Sequence, residues 1–325
     1  MKILVTGGAG FIGSHLVTSL LAAGHEVCAL DDLSTGSYKN VQPFLDDSRF
    51  RLVVTDIVDA PAVEREVRAA DQVYHLAAAV GVRLIVDEPV KTLATNIQGT
   101  EVVLEYCAKY HRQTFLASTS EVYGKLETTP FSEENASVLG PTTKSRWAYG
   151  CAKMVDEFLA LAYHADRGLP VVIARFFNTV GPGQRGRYGM VVPNFVRAAL
   201  EGRDLEVHGD GLQSRCFGHV EDVVRGMVAL MAEPRANGQV FNLGNDEEVS
   251  IKALAERIVE RTGSSSRIRY IPYEQAYSSG FEDMRQRVPC LDKVREYVGY
   301  QPTQNLDNII DSVIEYYRNN PDAPR

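Results

Sequence analysis

A glycine-rich turn between a strand-like and a helix-like segment is the feature that most constrains the fold of this chain. Residues 3–5 form a continuous apolar run, as in a parallel strand buried on both faces. The glycine turn 7–13 follows, and a helical pattern of apolar residues continues to Gly24. A second apolar run, residues 27–30, ends at Asp31. This order of strand, glycine turn, helix, strand and acid predicts a dinucleotide-binding unit, for which a plain glycine turn is the weaker alternative.

The glycines and the start of the helix have separate chemical roles in such a unit. Gly7 allows the tight turn, and Gly10 leaves room for backbone N–H groups to approach a pyrophosphate. Gly13 lets the helix pack close to the sheet. Phe11 and Ile12 begin the helix, whose free N–H donors and partial positive charge favour phosphate.

The acids after the second strand indicate which dinucleotide is bound. Asp31 is placed to accept hydrogen bonds from ribose hydroxyls, and Asp32 lies beside it. Two carboxylates would repel the 2′-phosphate of NADP, so the sequence predicts NAD.

Composition excludes several other classes of protein. The 325 residues are enough for one large domain or for two that share a cleft. The formal net charge of −8 argues against a nucleic-acid-binding surface. The five cysteines form no Cys-x-x-Cys pair, which predicts no metal site and reduced thiols in a cytoplasmic protein. No apolar stretch is long enough to span a bilayer, so we expect no membrane partner.

The end of the third predicted strand carries a candidate adenine contact. Residues 51–54 read as that strand, and Asp56 and Ile57 follow it. The Asp56 carboxylate can accept from an adenine amino group, although a solvated acid at a strand end remains the alternative.

The fourth predicted strand, residues 72–76, runs into small residues. Ala77 and Ala78 follow Leu76 and leave room for the backbone of a cofactor. His75 lies inside the apolar strand, so we interpret it as a core histidine with satisfied hydrogen bonds and not as a base.

The fifth predicted strand, residues 114–117, ends in hydroxyl and carboxyl side chains. Thr119, Ser120 and Glu121 follow it and point to the crevice where doubly wound sheets bind ligands. The alternative is a loop of capping residues.

Tyr149 and Lys153 form a candidate acid–base pair, since a spacing of four residues places both on one face of a predicted helix. A free tyrosine has a pKa of about 10 and is a poor base at neutral pH. A neighbouring lysine and a positively charged nicotinamide both favour the phenolate. The lysine can also hold the nicotinamide ribose.

Together these motifs resemble the extended short-chain dehydrogenase/reductase family, in its branch of nucleotide-sugar epimerases, dehydratases and decarboxylases. The similarity covers nearly the whole chain, through residues 6–13, 75–78, 96–100, 118–124, 149–153, 175–182, 208–215 and 219–223.

The resemblance implies an α/β fold, a Rossmann-type doubly wound parallel sheet with a smaller mixed α/β substrate domain. Residues 1–177, with about 219–243 returning to the sheet, would form the NAD-binding domain. Residues 178–218 and 244–325 would form the nucleotide-sugar-binding domain. Helices around 95–110 and 149–164 would pair with a second copy in a homodimer, and NAD would co-purify.

The resemblance also implies three sets of site residues. The catalytic set is Tyr149, Lys153, Thr119, Ser120, Glu121 and Arg287. The NAD-binding set is Gly7, Gly10, Phe11, Ile12, Gly13, Asp31, Asp32, Asp56, Ile57, Leu76, Ala77, Ala78, Asn96, Tyr149, Lys153 and Phe176. The nucleoside diphosphate sugar, a UDP-sugar first of all, would contact Asn178, Val192, Asn194, His208, Arg215 and Arg285.

All enzymes of this branch begin with the same step. Tyr149 takes the proton of the sugar C4 hydroxyl while hydride passes to NAD, and Ser120 or Thr119 hydrogen-bonds the developing C4 oxygen. From the resulting 4-keto sugar, an epimerase returns hydride to the other face. A 4,6-dehydratase eliminates water, and a decarboxylase releases carbon dioxide from a glucuronate.

Three features favour decarboxylation of UDP-glucuronate to UDP-xylose or its 4-keto form. The sequence Thr-Ser-Glu at 119–121 looks like that of UDP-glucuronate decarboxylases, and also like that of GDP-mannose dehydratases. Residues 146–153 are similar to the decarboxylases. Arg287 begins an Arg-x-Pro in which the arginine would pair with a carboxylate or protonate a C5 enolate.

Two segments depart from the decarboxylase pattern, and alternatives therefore stay open. Residues 31–36 look more like epimerases, and residues 185–190 match no decarboxylase pattern. A UDP-sugar 4-epimerase is the second interpretation, followed by a 4,6-dehydratase. A redox-responsive binding protein without activity is disfavoured, because such relatives lose the tyrosine or lysine that remain here as Tyr149 and Lys153.

Overall fold

A seven-stranded parallel sheet forms the centre of the protein, in a computed structural model that describes residues 1–80, 89–186, 189–276 and 284–321. The strands are β1 (Lys2–Thr6), β2 (Glu26–Asp31), β3 (Phe50–Val54), β4 (Gln72–His75), β5 (Gln113–Thr119), β6 (Val171–Phe176), β7 (Thr179–Val180), β8 (Leu205–His208), β9 (Ser214–Cys216), β10 (Gly218–His219), β11 (Gln239–Leu243), β12 (Glu248–Ser250) and β13 (Ile268–Ile271).

The helices lie on both faces of this sheet and in a second layer beyond its carboxyl edge. They are α1 (Phe11–Ala22), α2 (Tyr38–Val41), α3 (Ala60–Ala69), α4 (Pro89–Lys109), α5 (Ala148–Arg167), α6 (Val191–Leu200), α7 (Val220–Ala232), α8 (Ile251–Thr262), α9 (Tyr273–Ala276), α10 (Asp292–Val298) and α11 (Leu306–Asn319).

The order of the central sheet is β11-β6-β5-β4-β1-β2-β3, with every pair parallel. The strand order reverses between β1 and β4, where Thr6 lies opposite His75. Ligands of open α/β sheets bind outside the carboxyl ends of the strands at such a reversal. The predicted α/β class with a doubly wound parallel sheet is therefore confirmed.

Two hydrophobic cores cover the two faces of the sheet. On one face, α1 and α7 pack through residues that include Leu16, Leu20 and Met227. On the other face, α3, α4 and α5 pack through residues that include Val63 and Leu104. None of the helices in the described ranges is both long enough and apolar enough to cross a membrane.

A third apolar cluster lies apart from the sheet. It joins α6, α8 and α11 through residues that include Phe195, Leu254 and Ile310. The segment around α10 does not join this cluster, because Leu291 and Tyr300 pack in the core of the first sheet face. The segment 291–300 thus packs against the central sheet and its helices.

His75 is the core histidine that the sequence predicts. Its Nδ1 lies 2.7 Å from Thr6 Oγ1, and its Nε2 lies 3.1 Å from Thr100 Oγ1. Burial, and secondarily the charge of Lys153, lowers the pKa of His75 to about 3, so its ring is neutral.

Candidate active site

The glycine turn forms a close-fitting cradle at the carboxyl end of β1. Gly7 has a φ of +70°, and a Cβ there would lie 2.8 Å from the backbone nitrogen of Ala77. A Cβ at Gly13 would lie 2.1 Å from the carbonyl oxygen of Gly7, so α1 packs directly on the turn. Gly10 precedes α1 and makes no side-chain cap, and Phe11 and Ile12 follow it as the first helical residues. This cradle fits a pyrophosphate.

Asp31 and Asp32 lie beside this cradle at the end of β2. The buried Asp31 carboxylate accepts hydrogen bonds from the backbone of Ala9 at 3.0 Å and of Leu33 at 2.8 Å. Burial raises the pKa of Asp31, although these backbone donors oppose the shift. Asp32 is exposed and accepts from the backbone of Ser34 at 2.9 Å. Both acids thus lie at the carboxyl end of β2, next to the glycine turn.

The adenine-side candidates lie at the ends of β3 and β4. Asp56 is exposed, and its Oδ1 accepts from the backbone nitrogen of Val58 at 3.1 Å. Ile57 is buried against Gly99, where a Cβ would lie 2.2 Å from Ile57 Cδ1. The solvated form of Asp56 and a contact with adenine are both compatible with this placement.

Asn96 on α4 holds the chain that leaves β4. Its Oδ1 accepts from the backbone nitrogen of Ala79 at 2.7 Å, and its Nδ2 donates to the carbonyl of the same residue at 3.2 Å. Leu76, Ala77 and Ala78 are half-buried in this segment beside the glycine turn. Asn96 thus fixes the backbone at Ala79. Phe176, at the end of β6, is half-buried, with its ring centroid 6.2 Å from that of Phe115.

Tyr149 and Lys153 are both buried on the first turns of α5. Lys153 Nζ donates to Asp156 Oδ2 at 2.8 Å. Burial raises the pKa of Tyr149, and the negative charges of Glu121 and Asp156 raise it further. Asp156 was missed by the sequence analysis. The sequence could have indicated this residue, because an acid three positions after the lysine of a Tyr-x-x-x-Lys pair lies on the same face of the helix.

Thr119, Ser120 and Glu121 occupy the end of β5 and a 3-10 turn, Ser120–Tyr123. Thr119 Oγ1 accepts from the backbone nitrogen of Glu121 at 3.2 Å, so it caps the turn as the alternative interpretation expected. Ser120 is buried. The start of α5 packs on this turn, because a Cβ at Gly150 would lie 2.7 Å from the carbonyl oxygen of Glu121.

Glu121 is the carboxylate of a buried cluster with two arginines. Arg146 Nη2 donates to Glu121 Oε1 at 2.9 Å, and its Nη1 donates to Oε2. Arg287 Nη1 lies 3.0 Å from the same Oε1. Burial raises the pKa of Glu121, but Arg146, Arg287 and Arg215 outweigh it and lower that pKa to about 2. Glu121 is therefore ionised at neutral pH and does not act as a proton donor there.

The substrate candidates divide between this cluster and more distant positions. Arg215 is buried, donates to the carbonyl of Ser214 at 2.7 Å and acts on the charge of Glu121. Asn178 has a φ of +31°, uncommon for a residue with a side chain, and donates to the carbonyl of Cys216 at 3.0 Å. Arg215 thus lies in β9 and joins the arginines around Glu121, and Asn178 bonds the backbone of the same strand.

Four other substrate candidates lie elsewhere. Val192 is buried in the third apolar cluster, and Asn194 is exposed and donates to the carbonyl of Gly186 at 3.1 Å. His208 is half-buried at the end of β8. The Arg285 side chain is 73% exposed and pairs with Asp210 at 3.0 Å. Arg187 and Tyr188 of the segment 185–190, and residues 280–283, which precede Arg285 in the sequence, lie outside the described residues.

A second buried polar network underlies the site and was missed by the sequence analysis. Arg175 Nη2 donates to Glu157 at 2.8 Å, and its guanidinium lies 4.8 Å from the ring centroid of Tyr123. Ser118 Oγ donates to the same carboxylate. This network joins α5 to β5 and β6 and fixes the helix that carries Tyr149. Among the described residues, no group of three or more His, Cys, Asp or Glu side chains could hold a metal ion.

The sequence of this chain is similar to a known protein family and to several named enzymes. A family model described as the NAD dependent epimerase/dehydratase family matches residues 3–244. A protein of Bacillus cytotoxicus named UDP-N-acetyl-alpha-D-glucosaminuronate decarboxylase is 39% identical over 98% of this chain and 98% of its own. UDP-glucuronic acid decarboxylase 1 of Xenopus tropicalis is 38% identical over 98% of this chain and 72% of its own.

A solved structure has nearly the same fold. The UDP-glucuronic acid 4-epimerase of Bacillus cereus, in complex with UDP-glucuronic acid and NAD, superposes with a TM-score of 0.89. It is 30% identical in sequence, and the match covers 98% of this chain and 99% of that one.

Proposed function

Since this chain belongs to the NAD-dependent epimerase/dehydratase family, within the extended short-chain dehydrogenases/reductases, we propose that it is a decarboxylase of a UDP-uronate. The substrate we favour is UDP-glucuronate, and the product is UDP-xylose or its 4-keto form. The chain is an NAD-dependent enzyme, and the bound NAD would take a hydride from the sugar C4 and supply it again.

The proposed NAD site uses the residues around the glycine cradle. Gly7, Gly10 and Gly13 leave the space for the pyrophosphate, and Asp31 with Asp32 faces the ribose. The other NAD contacts predicted from the sequence remain part of this proposal. Because NAD is regenerated in each cycle, it need not leave, and we expect it to co-purify.

Tyr149 is the proposed base for the C4 hydroxyl. In the free protein its phenol is buried beside negative charge and holds its proton. Lys153, on the same face of α5, would hold a ribose hydroxyl and favour the phenolate. Thr119 or Ser120 would hydrogen-bond the C4 oxygen as it becomes a ketone.

Loss of carbon dioxide then needs little further chemistry from the protein. The C4 ketone makes the C5 carboxylate part of a β-keto acid, and the C5–C6 bond breaks with its electron pair left on C5 and the C4 oxygen. A proton adds to C5 when the ketone re-forms. Arg287 would hold the carboxylate beforehand and stabilise the enolate afterwards.

The observation that carries this proposal is the buried cluster of Arg146, Arg287 and Glu121 beside Tyr149. Two guanidinium groups face one carboxylate, so the cluster has a surplus of positive charge. Arg287 Nη1 lies 3.0 Å from Glu121 Oε1, and Arg146 donates to both oxygens of the same carboxylate. We propose that Arg287 also binds the incoming C5 carboxylate, which a neutral hexose lacks.

Two other substrates or reactions have specific support. The Bacillus cytotoxicus relative makes UDP-N-acetylglucosaminuronate a second candidate substrate for the same reaction. The Bacillus cereus structure makes 4-epimerisation of UDP-glucuronate the alternative reaction, since the same arginines would suit its carboxylate. The 4,6-dehydratase reaction is the third candidate.

Proton NMR of the purified protein with a trace of NAD distinguishes these candidates. UDP-glucuronate, UDP-N-acetylglucosaminuronate and UDP-glucose are supplied in parallel. We expect the first to lose its C5 carboxylate and give UDP-xylose or the 4-keto pentose. A galacto-configured product that retains the carboxylate would instead identify an epimerase. No change in any of the three would contradict the proposed substrate class.

We also propose that the protein is a cytoplasmic homodimer that pairs through α4 and α5. The helices pack on one another, yet α5 leaves Val155 and Phe158 exposed on its outer side. A large aromatic side chain that is 68% exposed on a regular helix favours a partner surface. A second copy of this chain is the occupant that we propose, as in the related enzymes that the sequence resembles.

Phe158→Asp is expected to convert the homodimer into a monomer, because a buried charge at the centre of an apolar interface has no partner. Light scattering at micromolar protein measures the mass. Leu212→Asp is the matched control, since Leu212 is 65% exposed and belongs to neither helix. A wild-type mass equal to that of the monomer, or equal masses for both variants, would count against the proposed interface.

The domain division predicted from the sequence is retained as a proposal. NAD would bind residues 1–177 with about 219–243, and the sugar would bind residues 178–218 and 244–325. The proposed sugar contacts of Asn178, Val192, Asn194, His208, Arg215 and Arg285 belong to the second part. Packing of Leu291 and Tyr300 against the sheet would make the second part closely attached to the first.

A further inference from the structure

Asp156 stands out among the buried charged groups because the mechanism above does not use it. It lies on α5, three residues after Lys153, and is fully buried. Its Oδ2 accepts from Lys153 Nζ at 2.8 Å. Lys153 is nearly as buried, so water screens this pair weakly and the two charges act on their surroundings as a unit.

The pair changes what Lys153 can do for Tyr149. A lone buried ammonium beside a phenol would favour the phenolate. With Asp156 attached, the lysine charge is largely cancelled at the distance of the phenol. Burial raises the pKa of Tyr149, and Asp156 contributes to that shift in the same direction as Glu121.

The other groups near Tyr149 and the Lys153–Asp156 pair are Glu121, His75 and Thr100. Glu121 raises the pKa of Tyr149, and its carboxylate is bound by Arg146 and Arg287. His75, which lies on β4 and is affected by the charge of Lys153, is neutral because its pKa is lowered to about 3. Thr100 on α4, whose Oγ1 lies 3.1 Å from His75 Nε2, carries no charge.

We propose that Asp156 is a positioning residue that holds Lys153 and cancels its charge, so that Tyr149 keeps its proton until a cofactor is bound. This inference rests on the proposed function, in which Tyr149 is the base. The ribose hydroxyls of the cofactor then compete with Asp156 for Lys153, and the positive nicotinamide adds the charge that favours the phenolate. Deprotonation is thereby coupled to cofactor binding.

A purely structural salt bridge is the competing explanation. Replacement of a buried ion pair by uncharged groups is often neutral for stability, so stability alone gives Asp156 little reason to be charged. A structural role would move the melting temperature but would leave the titration of Tyr149 unchanged. The two explanations therefore differ in a measurable quantity.

The test is an ultraviolet titration of Tyr149 in the full chain, freed of nucleotide on charcoal. The tyrosinate signal of Tyr149 is obtained as the difference from the same protein carrying Tyr149→Phe. We expect Asp156→Asn to lower the pH at which this signal appears by about one unit or more, because one negative charge is removed. An unchanged titration would overturn the proposal.

A double variant keeps the test valid if Asp156→Asn does not fold with its unpaired lysine. Lys153→Gln with Asp156→Asn removes both charges, so no buried charge is left without a partner. Because the pair cancels in the wild type, we expect Tyr149 in the double variant to titrate as in the wild type. A clearly higher titration would mean that Lys153 acts alone and would also overturn the proposal.

Asp166→Asn is the matched control for charge, since Asp166 is exposed on the same helix and lies farther along it. It should leave the titration of Tyr149 where it is. None of these titrations of Tyr149 needs a substrate. A wild-type enzyme that fails to turn over UDP-glucuronate would therefore contradict the proposed function without deciding the role of Asp156.

Discussion

Tyr149→Phe is expected to lower nucleotide-sugar turnover by roughly a thousandfold or more, because it removes the group that exchanges the C4 proton. The phenol hydroxyl is the only part that is lost. The ring stays in its buried place on α5, so packing is preserved. Product formation by NMR and the rate of NADH appearance in a single turnover measure the loss, and retention of co-purified NAD shows that the fold is intact.

Tyr163→Phe provides the matched control for this prediction. It is the same substitution on the same helix, at a half-buried position near Arg167 and away from the glycine cradle. Its activity should equal that of the wild type. If Tyr149→Phe kept turnover within a few-fold of the wild type, another group would have to be the base, and the assignment of the site would be wrong.

Arg287→Gln is expected to lower kcat/KM for UDP-glucuronate by roughly a hundredfold or more, because loss of one partner of a buried charge pair commonly costs 2–5 kcal/mol. The substituted side chain can no longer hold the C5 carboxylate or stabilise the enolate. Glu121 keeps its bidentate bond to Arg146, so the cluster retains a balanced charge. A time course of UDP-glucuronate consumption and product formation measures the effect.

The comparison of two substrates makes this prediction specific. A sugar without a carboxylate, such as UDP-glucose, should show a smaller change in its binding affinity on Arg287→Gln, as measured by calorimetry. Arg235→Gln is the matched control, since Arg235 forms an exposed ion pair with Glu233 that is worth little. An equal loss of affinity for both sugars would argue that Arg287 is needed for the site as a whole and does not recognise the carboxylate.

Local patterns were sufficient to predict most of the fold. The apolar runs at β1 and β2 and the helical pattern at α1 depend on residues close together in the chain, and the structure confirms them. The predicted ends of the strands were less accurate, because hydrogen bonds to neighbouring strands decide where a strand ends. The fifth strand, expected at 114–117, extends over Gln113–Thr119 in the sheet.

The site was predictable only in part, for the same physical reason. Tyr149 and Lys153 share one helix, and the glycines share one turn, so their spacing carried the information. The sequence also marked Glu121 and Arg287 separately. The sequence did not show that Arg146 donates to both carboxylate oxygens of Glu121. That contact joins the segment just before α5 to the turn after β5, which are far apart in the chain.

The sequence by itself determined the class of fold, the dinucleotide-binding turn and the pairing of a tyrosine with a lysine. Each of these depends on the periodicity of one strand or helix, which short-range sequence spacing records. Only the tertiary structure decided which charges meet. It joined Arg146, Arg287 and Glu121 from three separate segments, and it buried Asp156 with Lys153 where water cannot screen them. Charge interactions depend on distance and burial, and folding sets both.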